Sequence, residues 1–341
     1  MSNILFFLLM FTWLVYVVQE TFISGSSALN TVISKDEGER KQIQVATGLH
    51  WDGVEVWLIV AMALTFAAFP TAFGTIFEFL YVPIFLLLYT LITRGIAIEV
   101  LYKLDNEKWV KAMKHAWSIS SILILFIVGI YLANIFVGFP YDGSSMTSSF
   151  LSILNVTTIS AGLFFVASGF VAGAAWISFT TSGQFGDKAL HFIKKTGVIY
   201  SVPVFLMITL MGLNNLDTSI FAGTLFTDYP VLFVLPAFGF LSGVGVIVAG
   251  IFKQGKLLFL FSLLGIGLFV VTGFVGTFPY VVPSSIAFVN GIDIVQATVG
   301  VNSLRVILIT ISVFYPIVIG YQTWKYITFG KKVHYNDELE V

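Results

Sequence analysis

The residues best suited to chemistry lie in His50-Trp51-Asp52-Gly53-Val54-Glu55-Val56-Trp57, where two carboxylates and two tryptophans stand at the mouth of an uncharged run, Leu58 to Phe69. An ionisable group near lipid carries a desolvation cost of a few kcal/mol, so such groups are usually kept for a function. Proton or ion handling is the first chemistry to consider for Asp52 and Glu55, which are three apart and therefore on one helix face. A second reading stands beside it. Asp52 can N-cap the helix it opens, with Glu55 as the acid of a capping-box-like arrangement. Trp51 and Trp57 are candidates for interfacial anchors or for contact with a partner.

Composition fixes the setting of these groups. Hydrophobic residues make up 57% of the chain and charged ones 10%, with 35 phenylalanines and a mean hydropathy of +0.96. A soluble domain carries about a quarter charged residues, so this is an all-α, polytopic membrane protein. Cysteine is absent, which excludes disulfides, thiolate catalysis and iron–sulfur ligation. Nothing in the charge pattern suggests nucleic acid as a partner. The start, Met1-Ser2-Asn3, lacks a basic segment, so Ile4 to Val18 is expected to be a retained first span rather than a cleaved signal.

Apolar runs bounded by Gly, Pro or charge predict about nine spans, at 4–24, 54–73, 76–99, 117–138, 154–178, 197–214, 230–251, 257–278 and 303–328. The loops after the odd-numbered spans, with the tail, hold nearly all the basic residues, among them Lys35, Arg40, Lys111, Lys114, Lys188 and Lys253. Arg94 and Lys325 lie at the matching helix ends, and Arg305 is the one basic residue elsewhere. The positive-inside rule then places the N-terminus outside and the C-terminus in the cytoplasm. Phe139-Pro140-Tyr141 and Phe278-Pro279-Tyr280 follow the fourth and eighth spans, which suggests two four-helix bundles, 1–140 and 141–285, and a ninth helix with its tail, 286–341.

This topology gathers Glu20, Asp52, Glu55 and Glu99 on the cytoplasmic side, where Arg94 is expected to pair with Glu99 or Asp52. The four histidines, His50, His115, His191 and His334, fall on that side too, so no bis-histidine haem at mid-bilayer is expected. Met10, Met62, Met207 and Met211 read as packing residues. Glu78 is a lone acid near the outer surface. Gly162, Gly173 and Ala174-Ala175 give the fifth span a small-residue face suited to close packing, either within the chain or against a partner.

Glu39-Arg40, His50-Trp51-Asp52-Gly53, Val56-Trp57-Leu58 and Phe66-Ala67-Ala68-Phe69-Pro70 together resemble subunit II of the cytochrome bd-type quinol oxidases. Arg94-Gly95 with Glu99, Asn155 to Gly173, and Phe278-Pro279-Tyr280-Val281-Val282-Pro283-Ser284-Ser285 extend the likeness along most of the chain. One departure is clear. The first helix in that family typically ends in Gly-Phe-Asp-x-Gly, and here Ile23 stands where the motif has aspartate, with Glu20 one turn away as a substitute.

The resemblance implies a bacterial cytoplasmic-membrane oxidase in which a partner, subunit I, carries three haems and the quinol site and reduces dioxygen to water. This chain would then bind no cofactor itself, would stabilise subunit I, and would help bring cytoplasmic protons to the haem site through Asp52, Glu55, Glu99, Glu20 and Arg94. Lipid and quinone are further expected contacts, with Trp51 and Trp57 as candidates to meet the quinone, and a small accessory subunit is left open. The alternative is a proton- or cation-coupled secondary transporter, suggested by the internal repeat and by helices holding Pro83, Pro203 and Pro236.

Overall fold

A computed structural model describes residues 1–48, 50–103, 106–144, 150–181, 183–193, 225–286, 290–329 and 333. Eight of the described helical segments are long and apolar enough to cross a membrane. The expected sixth span, 197–214, lies outside the described residues, as do Pro203, Met207, Met211 and His334.

The first long helix, α1 (Ser2–Ala28), is central. It packs against α3 (Trp51–Ala68), α6 (Glu107–Val137), α7 (Val156–Thr180) and α11 (Gly255–Thr277), burying Leu5, Leu9, Tyr16, Val17 and Ile23. Around this centre α5 (Tyr81–Val100) lies on α6, α10 (Val234–Ile251) on α11, and α13 (Val301–Phe329) on α3. The short α2 (Glu37–Gly48) joins α1 to α3, and a helical stretch at 184–193, α8, follows α7. One-turn helices α9 (Leu225–Asp228) and α12 (Ile294–Ala297) lead into α10 and α13.

Two boundaries depart from those expected. The run 54–99 is not two spans meeting near residue 75. Helix α3 ends at Ala68, and α4 (Pro70–Phe79) intervenes before α5. Pro70 lacks an N–H and disfavours helical geometry at Phe69, which adopts φ −132° and ψ 58°, so the chain turns there. At 1.5 Å per residue α4 is about 15 Å long, too short to cross a bilayer. Helix α6 begins about ten residues before the expected span, because Asn106 caps it by accepting from the Lys108 amide at 2.9 Å. Asn155 starts α7 through a capping box with Thr158.

The two Phe-Pro-Tyr segments meet at one end of the bundle. The Phe139 amide donates to the Pro283 carbonyl at 2.9 Å, and the Ser285 amide donates back to Phe139 at 2.8 Å. Beside them Tyr280–Val282 pairs antiparallel with Ile292–Asp293, a small strand pair that closes this end.

Candidate functional site: a buried ion cluster at the basic end

The opposite end, from which the basic loops leave, gathers most of the expected site residues. Arg94, near the end of α5, has no exposed surface. Its guanidinium forms an ion pair with Glu20 of α1 and a second with Glu55 of α3, at 3.1 Å. It also donates to Ser24 Oγ at 2.7 Å, while the Ser24 hydroxyl donates to Glu20. Glu20 is 1% exposed and Glu55 27%. Two carboxylates therefore share one guanidinium, Glu20 sealed inside and Glu55 partly open.

The open side is a groove of about 470 Å³ between α3 and α5, lined by Trp51, Glu55 and Glu99 among apolar side chains. Trp51 forms one wall, its ring lying against Gly95, where an added Cβ would come within 3.1 Å of it. Glu99 is exposed in this groove and forms no ion pair among the described residues. Glu55 is the one carboxylate that both lines the groove and bonds to the buried guanidinium.

Several expectations are corrected here. Arg94 pairs with Glu20 and Glu55, rather than with Glu99 or Asp52, because its position on α5 turns it toward α1 and α3. Asp52 does not N-cap α3. His50 takes that position, buried, with its ring stacked on Tyr326 at 4.3 Å, so the helix starts one residue earlier and Asp52 falls in its first turn. There Asp52 accepts from the Gly53 amide at 2.7 Å, sits favourably at the positive end of the helix dipole, and pairs with Lys325 Nζ of α13 at 2.6 Å. Glu55 belongs to the ion cluster and not to a capping box. Trp57 is 2% exposed and packs edge-on against Phe11 and Tyr315, so it is a core residue rather than an interfacial anchor. Glu78 is exposed on α4.

Sequence reasoning missed Ser24 and Gln322 and saw Lys325 only as a helix-end charge. Lys325 is the only charged residue in the second half of an otherwise apolar α13, and that isolation was the available signal. Gln322 donates to the Gly53 carbonyl at 3.0 Å, and a Cβ on Gly53 would approach its amide to 2.7 Å. Gly53→Ala is expected to displace the Gln322 amide and cost about 1 kcal/mol through the lost buried hydrogen bond. Thermal unfolding of the purified assembly checks this, since an unchanged midpoint would mean that α13 does not depend on that bond.

The family profile described as Cytochrome bd terminal oxidase subunit II matches residues 1–329. The chain belongs to this family. It is 28% identical to Cytochrome bd ubiquinol oxidase subunit 2 of Bacillus subtilis over 325 residues, covering 94% of this chain and 93% of that protein. With Cytochrome bd-I ubiquinol oxidase subunit 2 of Escherichia coli K12 the identity is 23%, over 91% and 89%. The fold is shared with a chain of the bd oxidase from Geobacillus thermodenitrificans, at a TM-score of 0.76 and 13% identity, over 96% of this chain and 98% of that one. As a multi-span subunit of a bacterial bd-type oxidase, this chain leaves the transporter alternative without support. Pro83 and Pro236, which had suggested interrupted helices, lie in the first turns of α5 and α10, where proline is tolerated.

A cytochrome carries haem, and the described histidines are not placed to hold one between them. His50 is 3% exposed, stacked on Tyr326 and edge-on to Trp176. His115 and His191 are exposed on separate helices. Among the described residues no three His, Cys, Asp or Glu side chains are grouped as a metal ion held by side chains alone would require.

Proposed function

We propose that this chain is the haem-free second subunit of a quinol:oxygen oxidoreductase, that it stabilises a haem-bearing subunit I, and that it delivers cytoplasmic protons toward the site of oxygen reduction there. The distribution of basic residues supports an outside N-terminus and a cytoplasmic C-terminus. The ion cluster would then stand at the cytoplasmic side. The names of the relatives supply the activity, quinol oxidation, and the need for a partner.

The observation that carries the proton role is the arrangement of Glu55, which faces the groove beside Glu99 on one side and holds Arg94 and, through it, Glu20 on the other. A buried ion pair is weak support for stability, since apolar replacements of similar volume often serve as well. Its retention in an apolar bundle favours a functional reason. In this reading Asp52, 63% exposed and neutralised by Lys325, collects protons at the mouth. Glu99 and Glu55 pass them inward toward Glu20, and Arg94 keeps Glu20 and Glu55 in place. Trp51, on the groove wall, is the candidate contact to subunit I or to quinone.

The test compares Asp52→Asn, Asp52→Ala and Glu55→Gln in the purified oxidase, following haem content and quinol-driven oxygen consumption together. Turnover reduced by about 10²-fold or more with haem retained is expected if these groups move protons. Parallel loss of haem and turnover would assign them to scaffolding alone, and full activity in all three variants would overturn the proton role.

A further inference from the structure

A second groove, of about 600 Å³, lies where the turn after α1 meets the first turns of α2 and α6. Asn30, fully buried, contributes a side-chain carbonyl without a hydrogen-bond partner. Arg40, Lys111 and Lys114 line the groove, and the Arg40 Nε is buried and unpartnered. Glu37 and Glu107 line it too. Among the described residues none of these five charged groups forms an ion pair. Three cations beside two acids leave one positive charge in excess, and the partial burial of Arg40 and Lys114 sharpens the cost of holding it there without a close partner. The arrangement suits a ligand that brings both an anion and a hydrogen-bond donor.

Its height in the membrane indicates which ligand. The apolar part of α6, from Trp117 to Val137, is about 31 Å long at 1.5 Å per residue, which matches the hydrocarbon core. Lys114 and Lys111 stand one and two turns beyond it, at the level of lipid headgroups. We propose that this groove binds the phosphodiester headgroup of a membrane phospholipid. The phosphate lies against Arg40, Lys111 and Lys114, where guanidinium and ammonium donors make charge-assisted hydrogen bonds. The ammonium or hydroxyl of the headgroup turns to Glu37, Glu107 and the Asn30 carbonyl. Free phosphate would satisfy the cations and be repelled by both acids.

The experiment uses the purified oxidase complex, delipidated in detergent, with its thermal midpoint followed as short-chain phosphatidylethanolamine, phosphatidylglycerol, phosphatidylcholine or inorganic phosphate is added. A ligand that binds the folded state raises the midpoint saturably. Phosphatidylethanolamine and phosphatidylglycerol are expected to do so, while phosphatidylcholine, whose headgroup lacks a donor, needs about tenfold more, as the loss of one charged hydrogen bond implies. Arg40→Gln with Lys114→Gln is expected to weaken half-saturation by about tenfold or more at unchanged haem content. Should that pair fail to assemble, Lys111→Gln with Lys114→Gln, both on the start of α6, carries the same expectation. Equal half-saturation in wild type and variants overturns the site, and an equal shift with inorganic phosphate overturns its assignment to a lipid.

Discussion

An oxidase carrying Arg94→Met is expected to lose most of its assembled complex. Removing the guanidinium leaves Glu20, 1% exposed, as an uncompensated charge inside an apolar bundle, and takes away the donor that holds Ser24 and Glu55. Breaking a buried pair from one side costs about 3–5 kcal/mol, comparable with the whole stability of many proteins. Removing both partners is different in kind. Glu20→Gln with Arg94→Met leaves no buried charge, and Glu55, partly open to the groove, can be hydrated, so assembly should recover substantially. Arg94→Lys should fall between, because one ammonium cannot reproduce the fork that serves Glu20, Ser24 and Glu55 together.

Haem absorbance per unit of extracted membrane protein and the thermal midpoint measure this series. A double variant no better than Arg94→Met would show that the three residues are not one electrostatic unit. A wild-type yield of Arg94→Met alone would show that Glu20 does not depend on its partner. The series also separates structure from proton transfer, since the double variant restores the fold without restoring a titratable chain from Glu55 to Glu20. Recovered haem with slow turnover is the result that joins the cluster to the proton role.

The charged members of this cluster were legible in the sequence as residues of one end, whereas Ser24 and the pairing were not. Hydropathy and basic-residue asymmetry put Glu20, Asp52, Glu55, Glu99 and Arg94 at one end of the bundle. Which acid meets Arg94 depends on the rotation of each helix, and no spacing rule supplies that. Asp52 and Glu55 share a face of α3, yet three residues are about 60° apart around a helix, enough for one to meet Lys325 of α13 and the other Arg94 of α5. The expected cap at Asp52 failed because tertiary packing of His50 on Tyr326 fixes the helix start. The turn at Phe69-Pro70 was missed because α4 is as apolar as a span, and hydropathy is insensitive to its shortness. The small-residue face of the fifth span was read correctly as a packing surface, and the structure places that packing within the chain, against α1 and α6.

Gly173→Val is expected to be at least as damaging as any change in the cluster, for a purely steric reason. Helices α1 and α7 cross with their backbones in contact. A Cβ on Gly173 would lie 2.2 Å from the Ser26 amide nitrogen, and one on Gly25 would lie 1.8 Å from the Gly169 carbonyl oxygen. Gly169 and Gly173 are four apart, the small-xxx-small spacing that lets membrane helices approach closely. The obstructing atoms belong to backbone, so no rotamer change relieves the clash and the helices must separate. Overpacking a core costs about 1–3 kcal/mol where side chains can yield, and here they cannot, so about 3 kcal/mol or more is expected. Separation would also move Glu20 and Ser24, on the last turns of the same helix, away from Arg94. Gly173→Val should thus abolish assembly, Gly173→Ala should reduce it severely, and Gly320→Ala, with nothing within 4 Å of the added carbon, should behave as wild type. Complex yield and thermal midpoint across the three variants decide the matter. If Gly173→Val assembles as well as Gly320→Ala, α1 and α7 do not meet backbone to backbone, and the position of Glu20 must be fixed by Arg94 rather than by the helix crossing.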